Sequence, residues 1–324
     1  MRIALRIALR ALALSAGLFT ALSYAQDKVT LSIATGPTGG VYYPLGGGIA
    51  NILSKYVPGY AANAESTAGS VANLQLMTQK KSEMALSMAD AAWDGYKAQG
   101  KFSGGAVPVR ALMVAYPNRM HVVTVEGRGI NKFADLKGKR VSTGAPNSAT
   151  ELMTQRLLEA YGMDWNKDIR RERLTPEKSA DAIKDNKLDA FFFVVGIPTS
   201  SVTDLAATPG TKIKLIDHAD AVEKMVQKHG PLYVRDVIPA KSYPGQDQVN
   251  HVATVWNLLV AHKDMPDQVA YTILKTIFDK RDELIQVHKE AANFDLKYQS
   301  KAAASIPYHP GAIKYFAEKG LKLN

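Results

Sequence analysis

The chain alternates between short apolar segments with strand character and amphipathic segments with helix character along most of its 324 residues. The apolar–polar alternation of residues 29–35 (VTLSIAT) predicts a strand, and the Gly- and Pro-containing residues 36–40 follow it as a loop. A helix is predicted over 42–56, and similar strand–loop–helix units recur along the chain. This order predicts an α/β fold with mostly parallel sheets, because parallel strands need a crossover connection, usually a helix.

Boundaries of the later units come from capping residues and from short apolar runs. Ser148 and Glu151 fit the S-x-x-E capping box, and Thr175-Pro176 fits an N-cap followed by a proline at the first helical position. Helices are therefore expected to begin at both places. Further strands are predicted over residues 61–65, 84–88, 109–116, 121–125, 140–143, 190–195 and 255–261.

Three consecutive glycines, 46–48, lie inside the first predicted helix. Each costs about 1 kcal/mol of helix stability relative to alanine. We therefore expect a neighbouring element or a ligand to approach the backbone closely at this point.

The first 25 residues have the features of a secretory signal peptide. Three arginines open the chain, an apolar run follows over residues 11–21, and the small residues Ser23 and Ala25 precede a polar segment. The apolar run is too short to span a bilayer comfortably. We expect cleavage after Ala25 and a periplasmic mature protein, with an uncleaved N-terminal anchor as the alternative.

Composition and motifs exclude several classes of protein. The chain has no cysteine, so a disulfide framework, a thiolate zinc site and a cysteine nucleophile are excluded. The net charge of +10 falls to +7 without the three arginines of the leader, and the remaining basic residues are scattered, unlike a nucleic-acid-binding surface. P-loop, G-x-S-x-G and H-E-x-x-H motifs are missing, and the seven histidines lack metal-ligand spacing. We expect neither an enzyme nor a bound metal or cofactor.

Four predicted loops are candidates for a ligand site, because open α/β sheets bind ligands beyond the carboxyl ends of their strands. These loops, 36–40, 66–70, 144–148 and 196–200, are rich in Gly, Ser and Thr, and each precedes a predicted helix. The unpaired N–H groups and positive dipole end of a helix start can hold a small anion. The alternative is that these residues only form turns and cap helices.

Two helix starts add side chains to the candidate site. Asp90 follows a predicted strand and either accepts a hydrogen bond from a ligand or caps the helix that contains Trp93. At least one of Tyr42 and Tyr43 is expected to face the cleft. The complete set of predicted ligand contacts is Thr38, Gly39, Gly40, Tyr42, Tyr43, Thr67, Ser70, Asn73, Asp90, Asn147, Ser148, Ala149, Thr150 and Gly196.

Residues 33–46 (IATGPTGGVYYPLG) resemble the opening of the TAXI family (TRAP-associated extracytoplasmic immunogenic). Its members are solute-binding proteins of tripartite ATP-independent periplasmic (TRAP) transporters. Other segments that resemble the family are 67–74, 135–141, 188–192, 238–240, 243–246 and 309–313. The resemblance implies a two-lobed, type II-like periplasmic-binding-protein fold that closes on a small carboxylate, either a glutamate- or glutamine-like amino acid or a related dicarboxylate. It also implies delivery to a membrane-embedded permease driven by an ion gradient, and we expect a monomer.

One departure from the family pattern concerns the ligand. The family often has Gln-x-Asp where this chain has Met88-Ala89-Asp90, so the amide is missing. A carboxylate that lacks this polar partner is therefore at least as well suited as an amino acid. Lobe one is predicted to comprise 26–119 with 251–324, and lobe two 120–250.

Three other functions stay open from the sequence. The first is an ABC-transporter binding protein for a thiamine precursor or a sulfonate, since such receptors share the lobed fold. The second is an enzyme that uses Asp90 or a serine in the cleft. The third is a surface or sensory adhesin that keeps the fold.

Overall fold

The computed structural model describes residues 28–323, so the predicted signal peptide and its cleavage site lie outside the described residues. The described chain alternates strands and helices as the sequence predicts. The strands are β1 (Val29–Ala34), β2 (Tyr60–Glu65), β3 (Met84–Met88), β4 (Val109–Val125), β5 (Arg140–Ser142), β6 (Arg170–Glu172), β7 (Ala190–Val195), β8 (Ile213–Leu215), β9 (Tyr233–Ile238) and β10 (Asn250–His262). The α-helices are α1 (Tyr42–Tyr56), α2 (Ser70–Thr78), α3 (Ala89–Tyr96), α4 (Ala149–Ala160), α5 (Pro176–Lys184), α6 (Ser200–Ala207), α7 (Val222–His229), α8 (Asp267–Asp279), α9 (Arg281–Val287), α10 (Lys301–Ala304) and α11 (Pro310–Glu318).

The strands join in one mixed sheet with the order β2-β1-β3-β10-β4-β7-β5-β6, to which β9 adds beside β10 and β8 beside β4. At one side β1 pairs in parallel with β2 and β3, and at the other β5 pairs in parallel with β6 and β7. We call strands β1–β3 with helices α1–α3 the first half, and strands β5–β7 with helices α4–α6 the second half. The predicted α/β class is confirmed, but the sheet is mixed and not mostly parallel. Five of its nine strand pairings among the described residues are antiparallel, and each of them involves one of the long central strands β4 and β10.

Both central strands pass from one half to the other. The first part of β4 pairs with β10 as far as Arg119, and the part from Arg119 to Thr124 pairs with β7 of the second half. β10 pairs with β9 through Val255 and with β3 from Asn257 onward. Two continuous extended strands therefore connect the halves, which is the architecture of a two-lobed fold.

The prediction of two separate strands over 109–116 and 121–125 is wrong, because β4 is continuous through Pro117. Pro117 lies opposite Trp256, next to a register shift in the β4–β10 ladder. A proline is tolerated in a strand at such an irregularity, because its missing N–H removes no regular ladder bond there. The proline therefore coincides with the change of partner and does not end the strand.

Helix α1 has the predicted bounds, and two of its three glycines are required by packing. A Cβ on Gly46 would collide with Thr35 Cγ2, and one on Gly48 would lie 3.0 Å from Leu284 Cδ2 on α9. A Cβ on Gly47 would meet nothing within 4 Å. The expected close approach is thus made by neighbouring elements of the chain at two of the three positions.

The sequence places the start of α4 correctly but only half of its capping box forms. Ser148 Oγ accepts a hydrogen bond from the Glu151 backbone N–H at 3.1 Å. The Glu151 carboxylate does not bond back to the Ser148 N–H, because it accepts hydrogen bonds from Arg171 and Arg173 at 2.5 and 2.6 Å. The stronger charge-assisted pairs take the carboxylate away from the box.

Candidate functional site

The two halves enclose a cavity between their facing loops. Its lining comes from the loop after β1, the start of α2, the end of β3, the middle of β4, the start of α4, the start of α5 and strand β7. The cavity is small, with a volume of about 40 Å³. Such interlobe cavities are where two-lobed proteins hold small molecules.

Four helices begin at this cavity, and one of them, α5, begins with Pro176, whose nitrogen carries no N–H. Val41 and Tyr42 at the start of α1, Gly69 and Ser70 at the start of α2, and Ser148, Ala149 and Thr150 at the start of α4 belong to its lining. The N-cap residues of α1 and α2 make no side-chain capping hydrogen bond. The first-turn N–H groups of these helices, with the positive ends of their dipoles, are suited to an anion in the cavity.

Strand β4 contributes two buried polar atoms that have no partner within residues 28–323. Tyr116 Oη and Asn118 Oδ1 both lack a hydrogen bond, although Tyr116 is fully buried and Asn118 is 2% exposed. Both residues line the cavity. A buried polar group left without a partner costs about 1–3 kcal/mol. A molecule bound in the cavity would offset that cost. Burial raises the pKa of Tyr116, so its hydroxyl is neutral.

The remaining wall of the cavity is apolar. Met88, Leu174, Phe192 and Phe193 contribute to it, with valines of β7 beside them. Among the described residues, no Asp, Glu, Lys, Arg or His side chain lines the cavity. Any charge on a bound molecule would therefore face helix ends and hydroxyls and not an ion pair.

Six of the predicted ligand contacts lie at this cavity. They are Gly40, Tyr42, Ser70, Ser148, Ala149 and Thr150. Tyr42 and not Tyr43 is the tyrosine that faces inward: Tyr42 Oη donates to Asn257 Oδ1, whereas Tyr43 is 39% exposed on the outer surface. Ser70 Oγ accepts a hydrogen bond from the Met88 N–H at 3.1 Å.

Thr67 and Asn73 are placed behind the cavity wall, where they fix the loop before α2. Thr67 Oγ1 donates to Asn73 Oδ1 at 2.5 Å. Asn73 Nδ2 donates to the carbonyls of Thr35 at 2.6 Å and Leu86 at 2.8 Å. These bonds tie the loop to β1 and β3, so the structure gives both side chains a positioning role and no contact with the cavity.

The predicted loop residues Thr38, Gly39, Asn147 and Gly196 do not line the cavity, and three of them make contacts nearby. The Gly39 carbonyl accepts from Thr199 Oγ1 at 2.6 Å, and its N–H donates to Glu177 Oε1 at 2.5 Å. The Asn147 carbonyl accepts from the Ala72 N–H at 3.0 Å. A Cβ on Gly196 would lie 2.9 Å from Tyr116 Cε2, so a side chain there would displace the tyrosine. The contacts of Gly39 and Asn147 hold the two halves together around the cavity.

Asp90 has neither of its two expected roles. It is fully buried and absent from the cavity lining, and Met88, not Asp90, is the N-cap of α3. Its carboxylate accepts from Tyr233 Oη at 2.8 Å and lies 3.7 Å from Arg156 Nη1. Burial raises the pKa of Asp90, and the Arg156 guanidinium opposes that rise. The carboxylate therefore serves a buried network between the halves.

Sequence reasoning missed Tyr116, Asn118, Arg156 and Tyr233. Asn118 was assigned to a break between two strands, and Tyr116 to the end of one of them. No local pattern distinguishes these residues, because their surroundings are set by elements distant in sequence. A sustained strand prediction through Pro117 would have placed Tyr116 and Asn118, two residues apart, on one face of β4.

Two further properties concern the described residues. No group of three or more His, Asp or Glu side chains there is arranged to hold a metal ion. No helix in residues 28–323 is long and apolar enough to cross a membrane.

A mixed α/β sheet whose two halves are joined by extended strands, with a cavity between them, defines the two-lobed fold of periplasmic binding proteins. The chain belongs to the NMT1-like family, whose model matches residues 33–320. The finer assignment to the TAXI family stays a prediction.

Solved structures share this fold at low sequence identity. The periplasmic aliphatic sulphonate binding protein SsuA from Escherichia coli is 13% identical with a TM-score of 0.51, over 90% of this chain and 83% of that one. A protein from Bordetella bronchiseptica RB50 is 16% identical with a TM-score of 0.52, over 90% and 82%. A binding protein component of an ABC phosphonate transporter from Pseudomonas aeruginosa is 14% identical with a TM-score of 0.50, over 83% and 80%. At these identities the likeness shows the fold alone.

Proposed function

We propose that this chain is a periplasmic solute-binding protein that holds a small carboxylate between its lobes and delivers it to a membrane transporter. The observation that carries the proposal is the cavity itself. Two uncapped helix starts and two capped ones meet there, beside two buried polar atoms that have no partner within residues 28–323. Helix starts stabilise an anion without a cationic side chain.

The proposed lobes are residues 26–119 with 251–324, and 120–250. The passage of β4 and β10 between the halves supports these limits. A ligand that contacts both lobes stabilises the closed state by its higher affinity for that state. The permease would then distinguish the closed from the open form. Export to the periplasm rests on the signal-peptide pattern of residues 1–25.

The proposed transporter is an ion-gradient-driven TRAP permease, on the strength of the TAXI resemblance. The alternative is an ABC importer of a sulfonate or a thiamine precursor. A sulphonate-binding protein and a component of an ABC phosphonate transporter share the fold, which is compatible with that alternative. Uptake in cells separates the two: collapse of the ion gradient at constant ATP stops a TRAP permease, whereas ATP depletion at a constant gradient stops an ABC importer.

Thermal unfolding of refolded protein with a panel of compounds tests the ligand class. Unfolding and refolding first removes any ligand retained from the cell. A ligand at 100 times its Kd stabilises by about 2.7 kcal/mol, which raises Tm by roughly 5 °C or more for a chain of this size. A shift with carboxylates supports the proposal, and a shift with sulfonates alone supports the alternative. Chemical turnover of a bound compound, or no shift with any compound of the panel including thiamine precursors, would overturn a solute-binding role.

A further inference from the structure

The ligand cavity offers three kinds of contact, and each restricts what it can hold. Helix starts face one charged group of the ligand, and the apolar wall with Phe192 and Phe193 faces its carbon skeleton. Tyr116 and Asn118 supply unpartnered polar atoms on neighbouring positions of one strand face. Among the described residues, ionisable carboxylates, amines and guanidinium groups are missing from the lining.

An ammonium group on the ligand would have no anion to face. The buried acids nearest in the fold are engaged elsewhere. Asp90 accepts from Tyr233 and Ala91, and Glu290 accepts from the Ile197 N–H at 2.8 Å and from Asn293 Nδ2 at 2.7 Å. Burial of a cation without a partner carries a large desolvation penalty. The cavity therefore disfavours an amino acid.

A second carboxylate on the ligand would have no cationic side chain to face among the described lining residues. Lys and Arg are missing from the described lining, and the helix starts already face the first carboxylate. Repulsion between two buried anions would add to the desolvation penalty. The cavity therefore favours a single negative charge.

Tyr116 and Asn118 require a different kind of group. A tyrosine hydroxyl donates or accepts one hydrogen bond, and an asparagine amide does both. A ligand hydroxyl can accept from Tyr116 Oη and donate to Asn118 Oδ1, a keto oxygen can accept from Tyr116 Oη alone, and a methylene can partner neither atom. A buried site of this kind discriminates strongly against a ligand that lacks the hydrogen-bonding oxygen.

Resting on the proposed function, we infer that the cavity selects a small monocarboxylate that carries an uncharged hydroxyl or oxo group. Tyr116 and Asn118 are the residues that recognise this oxygen. Thr150 and the start of α4 belong with the carboxylate subsite. The amino acid and the dicarboxylate of similar size are rejected.

Calorimetric titration of the refolded protein with four-carbon acids tests this selectivity. The matched compounds are 2-oxobutyrate, 2-hydroxybutyrate, butyrate, 2-aminobutyrate and succinate. We expect the oxo or hydroxy acid to bind at least tenfold more tightly than butyrate, because a tenfold difference in Kd corresponds to the free energy of about one hydrogen bond. Binding of 2-aminobutyrate or succinate as tightly as the oxo acid would overturn the inference and leave the proposed function standing. No binding by any of these acids or by glutamate would overturn both.

Two variants assign the selectivity to its residues. Tyr116→Phe should weaken binding of 2-oxobutyrate and 2-hydroxybutyrate about tenfold, and Asn118→Leu should weaken binding of 2-hydroxybutyrate about tenfold. Both variants should leave butyrate affinity unchanged. Tyr308→Phe, which removes a buried hydroxyl bonded to Ser300 O at 3.3 Å outside the cavity lining, is the control and should change neither. If Tyr116→Phe weakened the binding of butyrate as much as that of 2-hydroxybutyrate, Tyr116 would have a packing role only. That result would overturn recognition of the oxygen by this residue.

Discussion

Arg156 on α4 donates a 2.5 Å hydrogen bond to Asp94 on α3 and thereby links the second half of the fold to the first. The same guanidinium donates to Tyr233 Oη at 2.8 Å, and that hydroxyl donates in turn to Asp90 at 2.8 Å. Both carboxylates are buried, and the arginine side chain is 11% exposed. One arginine thus compensates two buried acids across the junction of the halves.

Removal of that cation should destabilise the protein strongly. Arg156→Met leaves Asp90 and Asp94 buried without compensation, so we expect the free energy of unfolding in urea to fall by about 3–5 kcal/mol. Lys184→Met, which breaks an ion pair with the exposed Asp204, should cost no more than about 1 kcal/mol. Recovery of most of the stability in Asp90→Asn/Asp94→Asn/Arg156→Met would confirm that uncompensated charge is the cause. Equal stabilities of Arg156→Met and the parent protein would contradict the role of the network.

A methyl group on Gly39 should hinder closure. Its Cβ would lie 2.5 Å from Glu177 Oε1 and 2.9 Å from Glu177 Cγ on α5 of the opposite half, so the Glu177 side chain must move away and its hydrogen bond with the Gly39 N–H is lost. We expect Gly39→Ala to weaken ligand binding several-fold and to increase the radius of gyration of the unliganded protein in small-angle scattering. Gly47→Ala is the matched control, because its Cβ meets nothing within 4 Å, and it should stabilise α1 by up to about 1 kcal/mol. Unchanged affinity in Gly39→Ala would show that this contact is not needed for closure.

Ser148→Ala should act mainly on stability. From the sequence, loss of a ligand hydrogen bond would weaken binding by about 0.5–1.5 kcal/mol. In the structure Ser148 Oγ donates to the Ala145 carbonyl at 2.7 Å and accepts from the Glu151 N–H, so its donor serves the chain. We expect a loss of about 1 kcal/mol in unfolding free energy, as for other N-caps, and little change in ligand affinity. Ser300→Ala, which removes the N-cap of α10, controls for capping outside the cavity lining. A larger effect on ligand affinity than on stability would instead support the predicted contact between Ser148 and the ligand.

Acid should destabilise the fold through two buried histidines. Burial lowers the pKa of His121 and of His218 to about 4 from 6.5. Between these values the unfolded chain binds more protons than the folded chain, so stability is full above about pH 6.5 and is lost as pH falls toward 4. The loss is on the order of 3 kcal/mol per histidine. Urea unfolding from pH 7.5 to 4.5 should show this slope, and His121→Gln should reduce it.

The exposed His251 provides the control for that pH series, since His251→Gln changes a side chain open to solvent. Its slope should match that of the parent protein. Burial of the His121 ring makes its protonation unfavourable, and the hydrogen bond that Nδ1 donates to the Arg119 carbonyl at 2.9 Å opposes this effect. In the neutral ring Nε2 accepts from Tyr243 Oη at 2.8 Å. A pH-independent stability over this range would contradict the assignment.

Local chemistry made much of the fold predictable from the sequence. The bounds of α1, β3 and β7 follow from periodicity and flanking loops, and the caps Ser148 and Thr175 follow from residue type. These features depend on residues within a few positions of one another. Pro117 is the exception, because whether a proline ends a strand depends on the partner strands on either side.

The site was predictable only where backbone position decides it. The loops before α1, α2 and α4 lie at the cavity because carboxyl ends of parallel strands meet at one edge of a sheet. The roles of Asp90, Asn73 and Gly39 could not be predicted, since each is set by a partner distant in the chain: Arg156 and Tyr233, Leu86, and Glu177. Tyr42 could be separated from Tyr43 only by knowing which side of α1 packs inward.

The position of β10 at the end of the strand sequence also governs how the protein can be made. Residues 257–261 of β10 pair with β3 and also with the first part of β4. A growing chain that lacks them leaves two apolar strand edges open, a condition that favours aggregation. Such distant pairing also slows folding, because loop closure precedes the contacts that reward it. The central part of the sheet therefore cannot be completed until β10 has been synthesised.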